Sequence, residues 1–120
     1  MLILIAGPYR SGTNDNPDLI KKNLDNLESM AVPIFKKGHV PMIGEWVALP
    51  IMKLAGSKEI GDEVWDEVQY PVAHRLLEKC DAVLRIEGAS KGADMDVEIA
   101  KAKGLPVYYE LEEIPDANDS

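Results

Sequence analysis

The sequence predicts an α/β domain with a parallel β-sheet, and three observations support this class. Short runs of consecutive apolar residues, typical of strands buried on both faces, recur along the chain. Longer stretches between these runs carry apolar residues at the helical period. At 120 residues the chain has the size of one domain. We therefore expect a single α/β domain over residues 1–109, followed by an acidic tail over residues 110–120.

The first third of the chain predicts a strand, a long helix and a second strand. Leu2 to Ala6 is apolar throughout and ends at a Gly-Pro pair, as expected of a buried strand. Asn16 begins a helix, and Pro17 is tolerated in its first turn. The helical period continues to Lys37, where a glycine follows. His39 to Ile43 then predicts a short second strand.

The middle of the chain predicts helical segments that prolines divide. Glu45 to Ala55 reads as a short helix or an irregular segment interrupted by Pro50. Asp62 to Cys80 is helical by its apolar spacing, and we expect a division at Pro71.

The last third predicts a third strand from Asp81 to Ile86, a helix from Gly92 to Lys103 and a fourth strand from Val107 to Tyr109. A fifth short strand is possible near Leu111 to Ile114. Alternating strands and helices favour parallel pairing through right-handed crossovers, so the expected sheet order is 2-1-3-4. Ligands of such sheets bind outside the carboxyl ends of the strands, where the order reverses. That crevice lies between the turns after strands one and three.

Charge and composition argue against several partners. The net charge is −8, and the last eleven residues hold five acids and no base, namely Glu110, Glu112, Glu113, Asp116 and Asp119. Without a basic stripe the chain is a poor nucleic-acid binder. No apolar run approaches the roughly 18 residues of a membrane span, and no basic region precedes the apolar start. The single cysteine, Cys80, is expected to be a buried and inert thiol. Because a reduced cysteine fits a reducing compartment, we expect a cytoplasmic protein.

The turn after the first strand is the first candidate binding segment. Its glycines allow close backbone approach, and its amides and arginine suit a phosphate or carboxylate. The candidate residues are Gly7, Tyr9, Arg10, Ser11 and Gly12. The segment is neither a Walker A loop nor a dinucleotide-binding fingerprint. The alternative is a plain loop in which the arginine makes a salt bridge.

The turn after the third strand supplies Ser90, Gly92 and Ala93 as further candidates. Ser90 either caps the following helix or binds a ligand, and the amides near Gly92 form a positive helix end. Asp96 lies roughly 70° from the centre of the buried helix face, whereas Glu98 lies roughly 130° away on the other flank. Asp96 is therefore the better placed carboxylate, and Glu98 is the alternative.

Other chemistry-bearing residues have ordinary explanations. Trp46 follows the second strand, so it either stacks on a nucleobase or serves as a core or subunit-contact residue. The acids Asp62, Glu63, Asp66 and Glu67 read as a solvated helical face. His39 and His74 are far apart in sequence, and no cluster has metal-ligand spacing. We therefore expect neither a metal site nor a cofactor.

Four motifs together resemble the nucleoside 2-deoxyribosyltransferase family. They are Gly7-Pro8-Tyr9-Arg10-Ser11-Gly12, Cys80-Asp81-Ala82-Val83, Ser90-x-Gly92-Ala93-x-x-Asp96 and Ala100-x-Ala102-x-Gly104-x-Pro106-Val107. The likeness is closest to the short members, which include deoxynucleoside 5′-monophosphate N-glycosidases, and it spans residues 1 to about 109. Each motif is weak alone, but their order and spacing agree.

The resemblance implies a doubly wound flavodoxin-like or Rossmann-like sheet and a homo-oligomer. The apolar stretch from Trp46 to Leu54 fits an oligomer as well. The resemblance also implies a carboxylate nucleophile that attacks the anomeric carbon of a nucleoside or nucleotide. Two positions differ from the family pattern. Asp96 stands where the family has glutamate, and Ala73 stands where it usually has a sugar-holding aspartate.

Three functions follow as alternatives. The first is cleavage or transfer at an N-glycosidic bond through Asp96, and the second is a non-catalytic nucleotide-binding module. The third is an oligomeric scaffold with an empty crevice. Asp96 on the rim of the buried helix face favours the first, and Ala73 favours the second. Asp66, Glu67 and His74 are possible substitutes for the missing aspartate.

Overall fold

The computed structural model describes residues 1–118 and shows the predicted α/β class. The elements in this range are β1 (Leu2–Ala6), α1 (Pro17–Glu28), α2 (Ala31–Lys36), β2 (Val40–Ile43), α3 (Gly44–Leu54), α4 (Glu63–Leu77), β3 (Ala82–Arg85), α5 (Lys91–Ala102), β4 (Val107–Tyr108) and a 3₁₀ helix (Leu111–Glu113). None of these helices is long and apolar enough to cross a membrane.

The four strands form one parallel sheet in the order β2-β1-β3-β4. β1 pairs on both sides, with Leu2 beside Val40 of β2 and Ile3 beside Ala82 of β3. The predicted order 2-1-3-4 is therefore confirmed, and the sheet is doubly wound and Rossmann-like. The order reverses at β1, so the carboxyl end of β1 is where a ligand site is expected in this topology.

Alternate residues of β1 point to opposite faces of the sheet, and each face has its own core. One core joins the sheet to α1 and α2 and includes Ile3, Ile5, Leu27 and Ile34. The other joins it to α4 and α5 and includes Leu4, Ala6, Leu77, Ala93 and Ala100. Full burial of one such aliphatic side chain contributes about 1.5–3 kcal/mol. Cys80 lies in the second core, and its burial raises the pKa of the thiol to about 11.

The predicted long helix up to Lys37 is wrong, because the chain forms two helices there. α1 ends at Glu28, and α2 begins at Ala31. Pro33 explains the division. Its ring clashes with the carbonyl four residues earlier, and it lacks the N–H that a continuous helix requires.

The segment from Glu45 to Ala55 forms a short helix, which is one of its two predicted alternatives, and α3 continues through Pro50. The predicted division at Pro71 is wrong, because α4 also continues through its proline. The two helices pack against each other through Ala48, Met52 and Trp65, which form a third buried cluster. We attribute the continuity to this packing, because burial of an apolar helix face offsets the cost of one missing backbone hydrogen bond.

The possible fifth strand near Leu111 is not formed; the segment is a 3₁₀ helix instead. The Glu113 carboxylate accepts hydrogen bonds from the backbone N–H groups of Tyr109 and Glu110, at 2.8 Å and 2.9 Å. These donors are thereby unavailable to a neighbouring strand, and a capping box closes the turn.

The segment predicted as an acidic tail packs on the domain as far as it is described. Ile114 is 1% exposed and belongs to the core of α1 and α2. Lys37 donates to the Ile114 carbonyl at 3.0 Å, and its own carbonyl accepts from the Ala117 amide at 2.7 Å. Asp119 and the residue after it lie outside the described residues.

His39 joins the two ends of the described chain. The Met1 amino group donates to Nδ1 of His39 at 2.9 Å. Nε2 therefore carries the ring proton and donates it to the Pro115 carbonyl at 2.7 Å. The imidazole is 5% exposed, so both ring nitrogens are satisfied away from water.

Candidate functional site

A cavity of about 600 Å³ opens at the carboxyl ends of β1, β2 and β3. Its walls are the turn after β1, the first turns of α3 and α5, and one side of α4. The sequence-predicted candidates that line it are Gly7, Tyr9, Arg10, Ser11, Gly12, Ser90, Gly92, Ala93 and Asp96. Trp46 and Glu98 do not line it. The two turns predicted to form one crevice therefore meet at one cavity.

The turn after β1 needs its glycines for two different reasons. A Cβ at Gly7 would overlap the side chain of Ile86, so only glycine allows this close approach. Gly12 has a φ of +74°, in the left-handed region that favours glycine. The Asn23 side chain on α1 donates to the Tyr9 carbonyl at 2.8 Å and so holds the turn against the helix.

Arg10 makes the salt bridge that the plain-loop alternative predicts. Its guanidinium binds Asp15 through two hydrogen bonds, of 2.9 Å and 3.2 Å. The same group lies over the indole of Trp65, with its central carbon 5.6 Å from the ring centroid. Arg10 thus reaches the cavity with its charge already partnered, and an anionic ligand would compete with Asp15.

Ser90 caps α5, which is the first of its two predicted roles. Its hydroxyl accepts a hydrogen bond from the Ala93 amide at 3.1 Å. The side chain is buried, so the cap is shielded from water. The next residues, Lys91 and Gly92, belong to the first turn of α5 and line the cavity. The positive end of the helix therefore faces the cavity.

Asp96 follows one turn later on α5 and is partly buried at the cavity. Its pKa is raised to about 7, mainly by burial and then by the negative charge of Glu45. The nearby Arg85 guanidinium opposes this shift. Arg85 itself is bound to Asp94 at 2.9 Å, so it does not fully neutralise Asp96. Glu98 is exposed on the outer side of the helix.

Glu45 also lines the cavity, although it is not among the sequence-predicted candidates. It lies in the first turn of α3, directly after β2, and is partly buried. Burial raises the pKa of its carboxyl. Its charge acts on both Asp96 and Tyr9, because it raises the pKa of each. Its position two residues after the end of a parallel strand is the signal that points to it, since ligand sites lie at such ends.

The aromatic side chains that line the cavity are Tyr9, Trp65 and Tyr70, whereas Trp46 does not line it. The rings of Tyr9 and Trp65 stack with centroids 6.1 Å apart and planes inclined by 19°. The Trp65 indole N–H donates to the Gln69 side chain at 2.8 Å. Trp46 is 39% exposed, and its indole donates to Glu28 at 2.8 Å.

Ala73 on α4 also lines the cavity. None of the three possible substitutes, Asp66, Glu67 and His74, lines the cavity. His74 is packed near the ring of Tyr70, and its Nε2 is buried without a hydrogen-bond partner. Among the described residues, three carboxyl groups line the cavity, and of these Asp15 is exposed and bound to Arg10, whereas Glu45 and Asp96 are partly buried.

Within residues 1–118, no group of three or more histidine, cysteine, aspartate or glutamate side chains is arranged to hold a metal ion. Comparison with family models, curated proteins and solved structures found no match for this chain.

Proposed function

We propose that the protein cleaves or transfers at the N-glycosidic bond of a nucleoside or nucleoside 5′-monophosphate, with Asp96 as the nucleophile. The observation that carries the proposal is the meeting of Asp96, the stacked Tyr9 and Trp65 rings and the glycine turn at one cavity. Its volume of about 600 Å³ falls within the range of small-molecule sites, about 300–1,000 Å³.

Each wall supports one part of such a substrate. The face of an aromatic pair favours a flat, apolar ring such as a nucleobase. The first turn of α5 and the turn Gly7 to Thr13 present backbone N–H groups suited to hydroxyls or a phosphate. Asp96, between these regions, is a carboxylate that can attack an anomeric carbon and form a glycosyl ester. This chemistry requires no metal or cofactor.

The non-catalytic alternative, a nucleotide-binding module, draws support from Ala73. An alanine methyl at the cavity wall supplies no hydrogen bond to a sugar hydroxyl, so sugar positioning would have to come from other groups. Both functions require ligand binding, but only the first requires turnover, and one experiment separates them.

The experiment is chromatographic detection of free base after incubation with the 2′-deoxynucleosides, the ribonucleosides and their 5′-monophosphates. We expect base release from at least one of them, and a loss of at least about 1,000-fold in Asp96→Asn. Glu98→Gln is the matched control and should keep its activity, because Glu98 is exposed outside the cavity. Ligand binding without base release would establish the non-catalytic alternative, and full activity in Asp96→Asn would remove Asp96 from the reactive centre.

Calorimetric titration with a nucleoside and with its 5′-monophosphate tests whether the site binds a phosphate. We propose that the anion binds between the turn Gly7 to Thr13 and the segment Ser90 to Ala93. Arg10→Ala should then weaken monophosphate binding by about tenfold or more and leave nucleoside binding nearly unchanged. Equal monophosphate binding by both proteins would show that Arg10 stays with Asp15.

We further propose that the protein acts in the cytoplasm as a homo-oligomer, at least a dimer. The apolar side chains Trp46, Ile51 and Leu54 on α3 are 39%, 41% and 87% exposed, which supports a subunit contact on this helix. The lone buried Cys80 is compatible with a reducing compartment.

A further inference from the structure

Building on the proposed function, we infer that Glu45 is a second catalytic residue of this site. It donates a proton to the leaving base while Asp96 attacks the anomeric carbon. The inference rests on where Glu45 lies relative to Asp96 and to the aromatic pair.

The two carboxyl groups reach the cavity from opposite sides of β1. Glu45 begins α3 after β2, which pairs with one side of β1. Asp96 lies on α5 after β3, which pairs with the other side. Both line the same cavity, and the negative charge of Glu45 acts on Asp96. The two groups therefore face a common space above the carboxyl end of β1.

Glu45 also acts electrostatically on Tyr9, which stacks on Trp65. It is thus close both to the reactive carboxylate and to the platform on which a base would stack. A nucleoside with its sugar at Asp96 and its base on this platform has its glycosidic nitrogen between them. Glu45 lines the same cavity, so its carboxyl is available to act on that nitrogen as a general acid.

The charges around the pair favour one shared proton. The charge of Glu45 acts on Asp96 and Tyr9 and raises the pKa of each. The positive charge of Arg85 lowers the pKa of Asp96 and compensates only in part. Arg10 lines the cavity but is bound to Asp15. Burial raises the pKa of both carboxyls, and the negative charge of Glu45 raises that of Asp96 further, so the pair loses its last proton only as the pH approaches about 7. A substrate whose anomeric carbon gains positive charge against Asp96 favours ionisation there, and the proton then resides on Glu45.

The step balances with the groups present. An Asp96 oxygen bonds to the anomeric carbon, the carbon–nitrogen bond breaks with its electron pair on the base, and the Glu45 proton passes to the base. Free base and a glycosyl ester of Asp96 result. Water then attacks the same carbon, its proton passes to the Glu45 carboxylate, and the ester bond breaks with its electron pair on Asp96. In a transferase, an incoming base takes the place of water.

The test compares Glu45→Gln with Glu63→Gln on two kinds of substrate. Glu63 is the matched control, because it is also a glutamate in the first turn of its helix but does not line the cavity. The substrates are the 2′-deoxynucleosides and 4-nitrophenyl 2-deoxyriboside, whose leaving group needs little protonation. We expect kcat/KM of Glu45→Gln, which reports formation of the glycosyl ester, to fall about 10²–10⁴-fold on the nucleosides and less than about tenfold on the nitrophenyl compound. Asp96→Asn should lose activity on both, and Glu63→Gln on neither.

The pH profile supplies a second readout. With one shared proton required, nucleoside cleavage by the wild type should be bell-shaped and fall above a pH of about 7, the pKa of Asp96 beside Glu45. Nucleoside cleavage that survives Glu45→Gln, an equal loss on both substrates, or activity that rises through pH 7 would overturn the inference alone. Absence of base release from the wild type on every substrate would instead overturn the proposed function, and the inference with it.

Discussion

The surroundings of Asp96 disfavour the ionised form of its carboxyl group. Its folded-state pKa of about 7 lies above the ordinary value of 3.8, because burial and the charge of Glu45 both oppose ionisation. The folded state therefore binds a proton at Asp96 more tightly than the unfolded chain. The contribution of the protonated Asp96 to the free energy of unfolding is complete below a pH of about 4 and is lost as the pH rises towards 7.

Replacement of Asp96 by asparagine should therefore stabilise the protein at neutral and alkaline pH. One unit of pKa shift corresponds to about 1.4 kcal/mol, and partial exposure at the cavity reduces the full effect. We expect Asp96→Asn to raise the free energy of unfolding by about 1–3 kcal/mol at pH 8, with little change at pH 4. Urea denaturation at both pH values measures it.

Glu98→Gln is the control for that measurement, because Glu98 is exposed on the same helix. Its unfolding should differ little from that of the wild type at either pH. An Asp96→Asn protein that is less stable than the wild type at pH 8 would contradict the predicted increase in the free energy of unfolding. It would show that the charge of Asp96 mainly favours the helix end, an effect of about 0.3–1 kcal/mol.

At the scale of elements, α5 depends on its first residues to begin at the cavity. The first amides of a helix have no partners within the helix, and Ser90 satisfies the one at Ala93. The capped turn then places Gly92 at the cavity wall and Asp96 one turn later. The stability of α5 and the geometry of the candidate site thus rest on the same hydrogen bond.

Ser90→Ala should lower the free energy of unfolding by about 1 kcal/mol, because alanine is a poor N-cap. Ser90→Gly should cost only a few tenths of a kcal/mol, since glycine is tolerated at this position. Thermal denaturation of the three proteins gives the comparison. If both variants are as stable as the wild type, the cap contributes nothing to the stability of α5.

At the scale of the whole molecule, the C-terminal segment closes the core of α1 and α2. Ile114 is 1% exposed there, beyond the last strand of the sheet. We expect Ile114→Ala to lower the free energy of unfolding by about 2–4 kcal/mol, as for other buried aliphatic truncations. Val32→Ala is the control, because Val32 is 59% exposed. Equal, small losses in both variants, measured in urea, would place the segment outside the cooperative domain.

The exposed apolar side of α3 gives a prediction about assembly. Ile51 and Leu54 lie away from Ala48 and Met52, which pack on α4. We expect light scattering to give at least the mass of a dimer at micromolar concentration, and Leu54→Lys to shift the protein towards the monomer. Val32→Lys, exposed on α2, should leave the mass unchanged. A wild-type monomer up to millimolar concentration would contradict the assembly.

The α/β class, the parallel sheet order and the cavity between the turns after β1 and β3 all follow from the sequence alone. The reason is that each depends on local signals. Buried parallel strands are apolar along their whole length, and regular alternation with helices leaves few possible topologies. Helical geometry likewise places Asp96 towards the cavity and Glu98 away from it, because both belong to one regular helix.

Contacts between distant segments decided the rest. Pro33 divides a helix while Pro50 and Pro71 do not, because packing of α3 on α4 offsets the local cost of a proline. The same packing brings Trp65 to Tyr9, which lies 56 positions earlier in the chain. Glu45 and Asp96 line one cavity only because β2 and β3 flank β1. Burial, and with it the pKa of a carboxyl, is a property of such long-range contacts, which no local pattern encodes.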